Sequence, residues 1–366
     1  MKLLVLAQIP PPLHGQSVMV QTMLEGLAHQ REFELFHVNL PLSRDAADIG
    51  RFRPGKVWAL LRACWQARRL AARHGIDTLY YVPAPGRRSA LYRDWMAMAL
   101  CRPAFRRLVL HWHAPGLGDW LQAHAGSVER SLTRRLLGRA DLSIMLAEPL
   151  RTDAKALDAK HIAVVPNGIA DPCPGFTRSN QNLRPFRVLF LGLCSGDKGL
   201  FAAAEAVLEA NRLAGGAVPP AFTLTAAGPY PDAVTHTRFD RLVSQHPQVL
   251  RHAGMVMGSA KHDLLAQSHA LCLPTRHPYE GQPLVLLEAM AYDLPIVATR
   301  WRAIPETVPA AGSWLVPPGN VPALARALMA VRTAPPTAST LRAHYLAHFT
   351  IEQHLAALIA ALRTLF

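Results

Sequence analysis

The sequence has no apolar run approaching the roughly 18 residues that a membrane-spanning helix requires, so no span is expected. Cysteine is sparse. The five (Cys64, Cys101, Cys173, Cys194, Cys272) are scattered, form no C-x-x-C and are odd in number, which fits reduced, mostly buried thiols of a cytosolic protein. No G-x-G-x-x-G follows the first apolar run, which disfavours a dinucleotide-dependent dehydrogenase. Low-complexity tracts and short-period repeats are absent. The opening MKLLVLA is too brief for a secretory leader, lacks a small-residue cleavage site and runs into three prolines, so it reads as a first strand. Lysine is also scarce: only Lys2, Lys56, Lys155, Lys160, Lys198 and Lys261 occur, and the net charge of +14 is carried by arginine.

What is present is a chain of 366 residues, half of them hydrophobic, which suits two globular domains rather than one. Short β-rich runs alternate with helical patterns throughout. Strands are expected at 2–8, 33–40, 78–84, 107–113, 142–147 and 162–168, then at 187–193, 221–228, 249–254, 270–274, 295–299 and 313–318. Helices are expected near 17–30, 56–73, 88–100 and 127–137. Many strands are continuously apolar, as strands covered by helices on both faces must be. Sustained βαβα order implies an α/β protein with doubly wound parallel sheets. The proline-rich, polar stretch 171–186 suits a linker. The expected organisation is two Rossmann-like domains facing across a cleft. Residues 1–175 are expected to form the first domain and residues 176–345 the second. Residues 346–366 form a C-terminal helix that can pack back toward the first domain.

Ligands of parallel α/β sheets bind beyond the carboxyl ends of the strands, so the chemistry is sought there. In RHPYEGQPLVLLEAMAYDLPIVAT (276–299), Glu280 lies in a loop and Pro283 is placed to open a helix at its first position. Glu288 interrupts an almost wholly apolar helix, and burying it requires a partner such as ribose hydroxyls. The backbone N–H groups of Gly281, Gln282 and Leu284 form a helix N-terminus suited to anionic oxygens. The pattern E-G-x-P-L-x-x-x-E, followed by A-M-A-x-x-x-P-I-V-A-T and I-P-E, resembles glycosyltransferase family 4, the large retaining group with the GT-B fold. The resemblance places Glu280, Gly281 and Gln282 on the sugar and diphosphate, and Glu288 on the ribose, with Pro283 and Leu284 between them.

Further pieces resemble the same family. RVLFLGLCSGDKGL (187–200) resembles its diphosphate-binding element, with Lys198 as the cation that neutralises the leaving group. The family's arginine is replaced by Leu193, and Arg276 or Arg300, each just past a strand end, is a candidate substitute. Gly228 in LTAAGPYPD falls near the nucleotide, and RHAGMV (251–256) resembles the element that contacts the base. In PPPLHGQS (10–17), Gly15 permits close approach of a ligand and Ser17 is placed as a helix N-cap. His111 and His113 share one face of their strand; His113, nearest the strand end, is the candidate for the site. Asn167 in VVPNG reads as structural. The resemblance implies retaining transfer from a UDP- or GDP-linked sugar without a cofactor or metal, and the sequence has no Asp-x-Asp.

Charge is unevenly spread. Between Arg51 and Leu110, thirteen basic residues face two acids, Asp77 and Asp94, which implies an anionic partner. In 56–75, Trp58, Leu61 and Trp65 share one helical face and Arg62, Arg69 and Arg73 another, the pattern of an interfacial helix. The alternative is an amphipathic helix whose apolar face packs on its sheet. Segments 51–73 and 87–107 are therefore expected to attach the protein reversibly to anionic lipid, on the cytoplasmic side, beside a lipid-linked acceptor. Two rivals differ in class. A sugar-nucleotide epimerase or hydrolase of the same fold would need no acceptor. A nucleic-acid-binding protein would exploit the basic excess, but no recognition helix with interleaved aromatics is evident.

Overall fold

In the computed structural model, residues 1–12, 15–40, 54–178, 184–216, 218–334 and 339–366 are described. The chain divides into two compact units. Unit 1 comprises Met1–Asn167, Tyr279–Gln282 and Glu352–Phe366; unit 2 comprises Gly168–Pro278 and Pro283–Ile351.

Unit 1 is built on strands β1 (Lys2–Ala7), β2 (Glu34–Asn39), β3 (Thr78–Tyr81), β4 (Arg107–Trp112), β5 (Leu142–Met145) and β6 (Ile162–Val164). They pair in parallel in the order β2-β1-β3-β4-β5-β6. Helices α1 (Gly15–Ala28), α2 (Pro54–His74), α3 (Arg88–Cys101), α4 (Leu117–His124), α5 (Ser127–Leu137) and α6 (Thr152–Ala156) connect them. The strands are apolar because both faces are covered: β3 and β5 are buried at every position. The last helix, α14 (Ile351–Arg363), seals this core from Glu352 onward, with Leu358, Ala361 and Leu362 packed among Leu3, Val5 and Leu27. Its His354 ring is bonded to the Pro166 carbonyl at 2.6 Å, and Arg363 pairs with Glu32 at 2.7 Å.

Unit 2 repeats the scheme with β7 (Phe186–Leu191), β8 (Phe222–Ala227), β9 (Leu250–His252), β10 (Ala270–Leu273), β11 (Ile296–Thr299) and β12 (Ser313–Val316). The order is β12-β11-β10-β7-β8-β9, again all parallel. Helices α7 (Leu200–Leu213), α8 (Ala233–Gln245), α9 (Gly258–Gln267), α10 (Leu284–Ala291), α11 (Ile304–Thr307), α12 (Val321–Thr333) and α13 (Thr340–His348) complete it. Each of the twelve expected strands is present. Such sheets wind outward in both directions from one internal strand, leaving a switch point where neighbouring loops part. In unit 2 that point lies between β7 and β10; in unit 1 it lies between β1 and β3.

Three local expectations are corrected. The described part of the 171–186 stretch is packed into unit 2 rather than standing free. Asp171 pairs with Arg342 at 2.7 Å, and the Arg178 guanidinium donates to the carbonyls of Leu265, Ala266, Ser268, Tyr292 and Asp293. Residues 179–183 lie outside the described residues. Ser17 is not an N-cap: α1 already begins at Gly15, and the buried Ser17 hydroxyl donates to the Pro12 carbonyl at 2.8 Å. Pro283 caps α10 instead of opening it, because its ψ of 120° is extended and helical geometry starts at Leu284.

Helix α2 settles which of its faces packs. Leu60, Ala63, Cys64, Ala67 and Ala71 are buried, whereas Trp58 and Trp65 are 75% and 60% exposed. The small-residue stripe takes the sheet side, so the tryptophans face solvent, with the Arg69 guanidinium 5.3 Å from the Trp65 ring centre. Arg51 and Arg53 of the expected basic segment lie outside the described residues. No helix among the described residues is long and apolar enough to cross a membrane.

Candidate active site

The carboxyl edge of the unit 2 sheet is drawn together by glycines. Gly192 N–H donates to the Ala227 carbonyl at 3.0 Å, and Gly228 N–H to the Gly254 carbonyl at 2.7 Å. Gly228 has φ +139°, and a Cβ there would lie 1.8 Å from the Gly192 carbonyl oxygen. Only glycine permits that approach. The loop after β7 then reaches α7 through Gly199, whose φ of +92° presses its backbone onto the end of β10, 2.4 Å from Cβ position to the Pro274 oxygen.

Lys198 and Arg276 ride on these two loops at the β7/β10 switch point. Lys198 is half-buried, and its N–H donates to Ser195 Oγ at 3.2 Å. The exposed Arg276 is tied to the same turn, its N–H donating to the Asp197 carbonyl at 2.8 Å. Arg300 is also exposed, at the end of β11, its N–H donating to the Val316 carbonyl. Two cations on adjoining loops can flank one anionic group, where fixed positive charge is most effective.

Glu288 lies on α10, which follows β10. It was expected to be satisfied by hydroxyl groups; its protein partner is Lys261, whose ammonium donates to Oε1 at 2.6 Å. The two side chains are 17% and 29% exposed. Oε2 has no partner among the described residues and can accept a further donor. Lys261 belongs to α9, and nothing in its sequence surroundings announced it beyond the scarcity of lysine.

The loop tetrapeptide Tyr279–Gln282 belongs to unit 1, so Glu280, Gly281 and Gln282 fall in one unit and Glu288, Lys198, Arg276 and Gly228 in the other. Within unit 1 it is tightly held. Asn167 N–H donates to Gln282 Oε1 at 2.6 Å, and Asn167 Nδ2 donates to the Gln282 carbonyl at 3.1 Å. Asn167 is structural in the sense expected, and its task is to hold this loop. A Cβ at Gly281 would meet the His113 carbonyl oxygen at 2.4 Å. Glu280, 5% exposed, is thereby brought beside the β4–α4 loop that carries His113. Asp153 fixes that loop by accepting from Gly116 N–H at 2.8 Å and Gly118 N–H at 2.7 Å.

His111 and His113 have ring centres 4.2 Å apart. His111 is buried and bonded through Nδ1 to the Tyr80 hydroxyl; His113 is half-buried. Burial holds the His111 pKa well below its ordinary value, helped by the neighbouring His113 and His354, so it stays neutral. Burial likewise pushes the Tyr80 hydroxyl upward. Gly15 opens α1 after the β1 loop, of which residues 13 and 14 lie outside the described residues.

Residues 185–333 match the family model described as glycosyl transferases group 1. The match spans the unit 2 sheet and takes in Lys198, Gly228, Arg276 and Glu288. Solved structures similar over the whole chain show the fold. Sucrose-phosphate synthase from Thermosynechococcus elongatus is 18% identical, covers 100% of this chain and 99% of its own, and has a TM-score of 0.75. The lipopolysaccharide outer core galactosyltransferase WaaB, in its apo form, is 15% identical with both chains fully covered and a TM-score of 0.70. HepE from Anabaena, in complex with UDP-glucose, is 17% identical with both chains fully covered and a TM-score of 0.67. The fold is GT-B, with two Rossmann-like halves. A comparison with curated protein sequences found no match.

Proposed function

We propose that this protein is a group 1 glycosyltransferase that transfers a sugar, with retention of anomeric configuration, from a UDP- or GDP-linked donor to a hydroxyl of a lipid-linked saccharide. One observation carries the reading: the loops bearing Lys198 and Arg276 are bonded together at the β7/β10 switch point of a domain whose next helix presents Glu288 with one carboxylate oxygen unclaimed among the described residues. Lys198 and Arg276 neutralise the diphosphate, Arg276 taking the place of the family arginine that is Leu193 here. Glu288 Oε2 accepts from the ribose, and Gly228 admits the nucleotide. The acceptor oxygen bonds to the anomeric carbon as the bond to the diphosphate breaks, and the acceptor proton passes to a leaving phosphate oxygen. For Glu280, Gly281, Gln282 and His113, the family resemblance supports the roles toward sugar and acceptor that it implies. No divalent metal takes part.

The exposed Trp58 and Trp65 beside Arg62, Arg69 and Arg73 support reversible attachment to anionic lipid on the cytoplasmic face of the membrane, where a lipid-linked acceptor for polysaccharide or glycolipid assembly is available. A thermal-shift screen of UDP- and GDP-sugars tests the donor assignment, because a ligand at 100 times its Kd adds about 2.7 kcal/mol of stability. Transfer from the stabilising donor to a membrane lipid extract, with NMR of the product's anomeric centre, tests the rest. Failure of every nucleotide sugar to stabilise the protein overturns the assignment.

A further inference from the structure

Unit 1 contains a second built feature, a pocket of about 480 Å³ lined by Gly86, Arg87, Arg88, Trp120, His124 and Tyr279. The loop that carries Gly86 is anchored to helix α3. Asp94, fully buried on α3, accepts from Ala84 N–H through Oδ2 and from the Tyr81 hydroxyl through Oδ1, both at 2.7 Å. Gly86 lets this loop lie directly against the indole: a Cβ there would fall 2.5 Å from Trp120 Cβ and 2.8 Å from the Gly116 carbonyl oxygen. The Tyr279 hydroxyl donates to the Gly86 carbonyl at 3.0 Å, which fixes the phenol ring as another wall.

The two arginines are not equivalent. Arg88 lies 5.9 Å from the Trp120 ring centre and is committed: Nε donates to Glu129 at 3.0 Å and Nη2 to the His124 carbonyl at 3.2 Å. Arg87 is exposed and sits over the Tyr279 ring, 5.1 Å from its centre. Among the described residues no carboxylate pairs with it. The pocket therefore offers flat aromatic walls and one guanidinium held against a ring with its charge uncompensated.

Aromatic faces pack against the C–H faces of a pyranose, and a pre-oriented guanidinium pairs in bidentate fashion with a phosphate or carboxylate. The pocket is also within the volume range of small-ligand sites. We infer that it is an acceptor subsite for a sugar ring bearing an oxyanion, read by Arg87 while Trp120 and Tyr279 pack the ring. The inference rests on the proposed transferase activity, and Tyr279 immediately precedes Glu280. The oxyanion has two sources with one chemistry: the phosphate that links a sugar to its lipid, or the carboxylate of a uronic acid.

The test uses the full-length protein and isothermal titration at low ionic strength with α-D-glucose 1-phosphate, methyl β-D-glucuronide and methyl β-D-glucoside, with UDP titrated separately. An anionic sugar is expected to bind at least about tenfold more tightly than the neutral glucoside, as a charged hydrogen-bonded contact provides. Arg87→Gln, at an exposed site that leaves the core intact, removes that preference; Trp120→Leu weakens all three sugars; neither changes UDP binding. Preference for glucose 1-phosphate alone assigns the oxyanion to a lipid phosphate, and preference for the glucuronide alone assigns it to a uronate; both support the subsite. Equal binding of all three sugars, a preference that survives Arg87→Gln, or no sugar binding by a protein that binds UDP overturns it. If the anionic preference appears and UDP does not bind, the donor assignment falls and the saccharide site stands.

Discussion

Replacing Glu288 by Gln separates the two tasks assigned to that side chain. In the wild type Oε1 is engaged by Lys261 at 2.6 Å while Oε2 is left for a ligand. A hydroxyl bonded to an ionised carboxylate contributes about 1.5–3 kcal/mol. Glutamine keeps one acceptor oxygen without the charge, so the expected loss is about 1.4–2 kcal/mol, or roughly a 10- to 30-fold rise in the Kd for UDP. Lys261→Met removes the cation and leaves the carboxylate. Because the pair is mostly buried, it should cost about 1–2 kcal/mol of stability, and it should change UDP affinity far less than Glu288→Gln. In the Glu288→Gln background the same lysine change should cost about 0.5–1 kcal/mol less, the coupling expected for groups in contact. Isothermal titration with UDP and urea unfolding of the four proteins measure all of these. A cooperatively folded Glu288→Gln protein that binds UDP within about twofold of wild type refutes the ribose assignment.

Arg276→Ala should reduce transfer at saturating donor by about tenfold or more, since it removes charge where the leaving diphosphate develops it; a rate assay with full activity excludes that arginine. Gly228→Ala should lower the melting temperature sharply, at a cost of about 3 kcal/mol or more, because the new methyl would collide with the Gly192 carbonyl at a backbone φ of +139°. His269 gives a pH signature. Burial, with smaller help from Arg187 and Arg178, lowers its pKa to about 4, and its Nδ1 accepts the Arg187 N–H at 2.9 Å. The unfolded chain takes up this proton near pH 6.5 and the folded one only near 4, so the contribution is full above 6.5 and is lost as pH falls toward 4. Urea unfolding from pH 7.5 to 4.5 should show that slope, and His269→Asn, which keeps an acceptor, should flatten it. Liposome flotation should show binding to anionic vesicles at low salt that Trp58→Ser with Trp65→Ser largely removes; unchanged flotation would reassign the helix face.

The strands were legible because continuous apolar runs between helical patterns have few other solutions, and their order along the chain dictated parallel sheets. Close backbone approach at strand ends was legible where residue type is constrained, as at Gly228. What escaped depends on contacts distant in sequence. Lys261 lies 27 residues before Glu288, and no local pattern ties a lysine of α9 to a carboxylate of α10. Arg178 looks like a linker residue until the carbonyls it binds are seen. Periodicity showed that α2 has a tryptophan face, but not that Leu60, Ala63 and Ala67 would take the sheet side in its place. The shifts at Ser17 and Pro283 are of another kind, since caps depend on one or two dihedral angles that sequence constrains weakly.

Unit 2 is nearly continuous in the chain, whereas unit 1 gathers residues from its beginning, its later middle and its last fifteen positions. Leu358, Ala361 and Leu362 fill a core begun by Leu3 and Val5. A ribosome therefore delivers Met1–Asn167 early but cannot complete that unit until unit 2 has been made, because Glu352–Phe366 follow it. The half made first is the half finished last, so expressing either half alone by a single cut would strand the other's missing pieces.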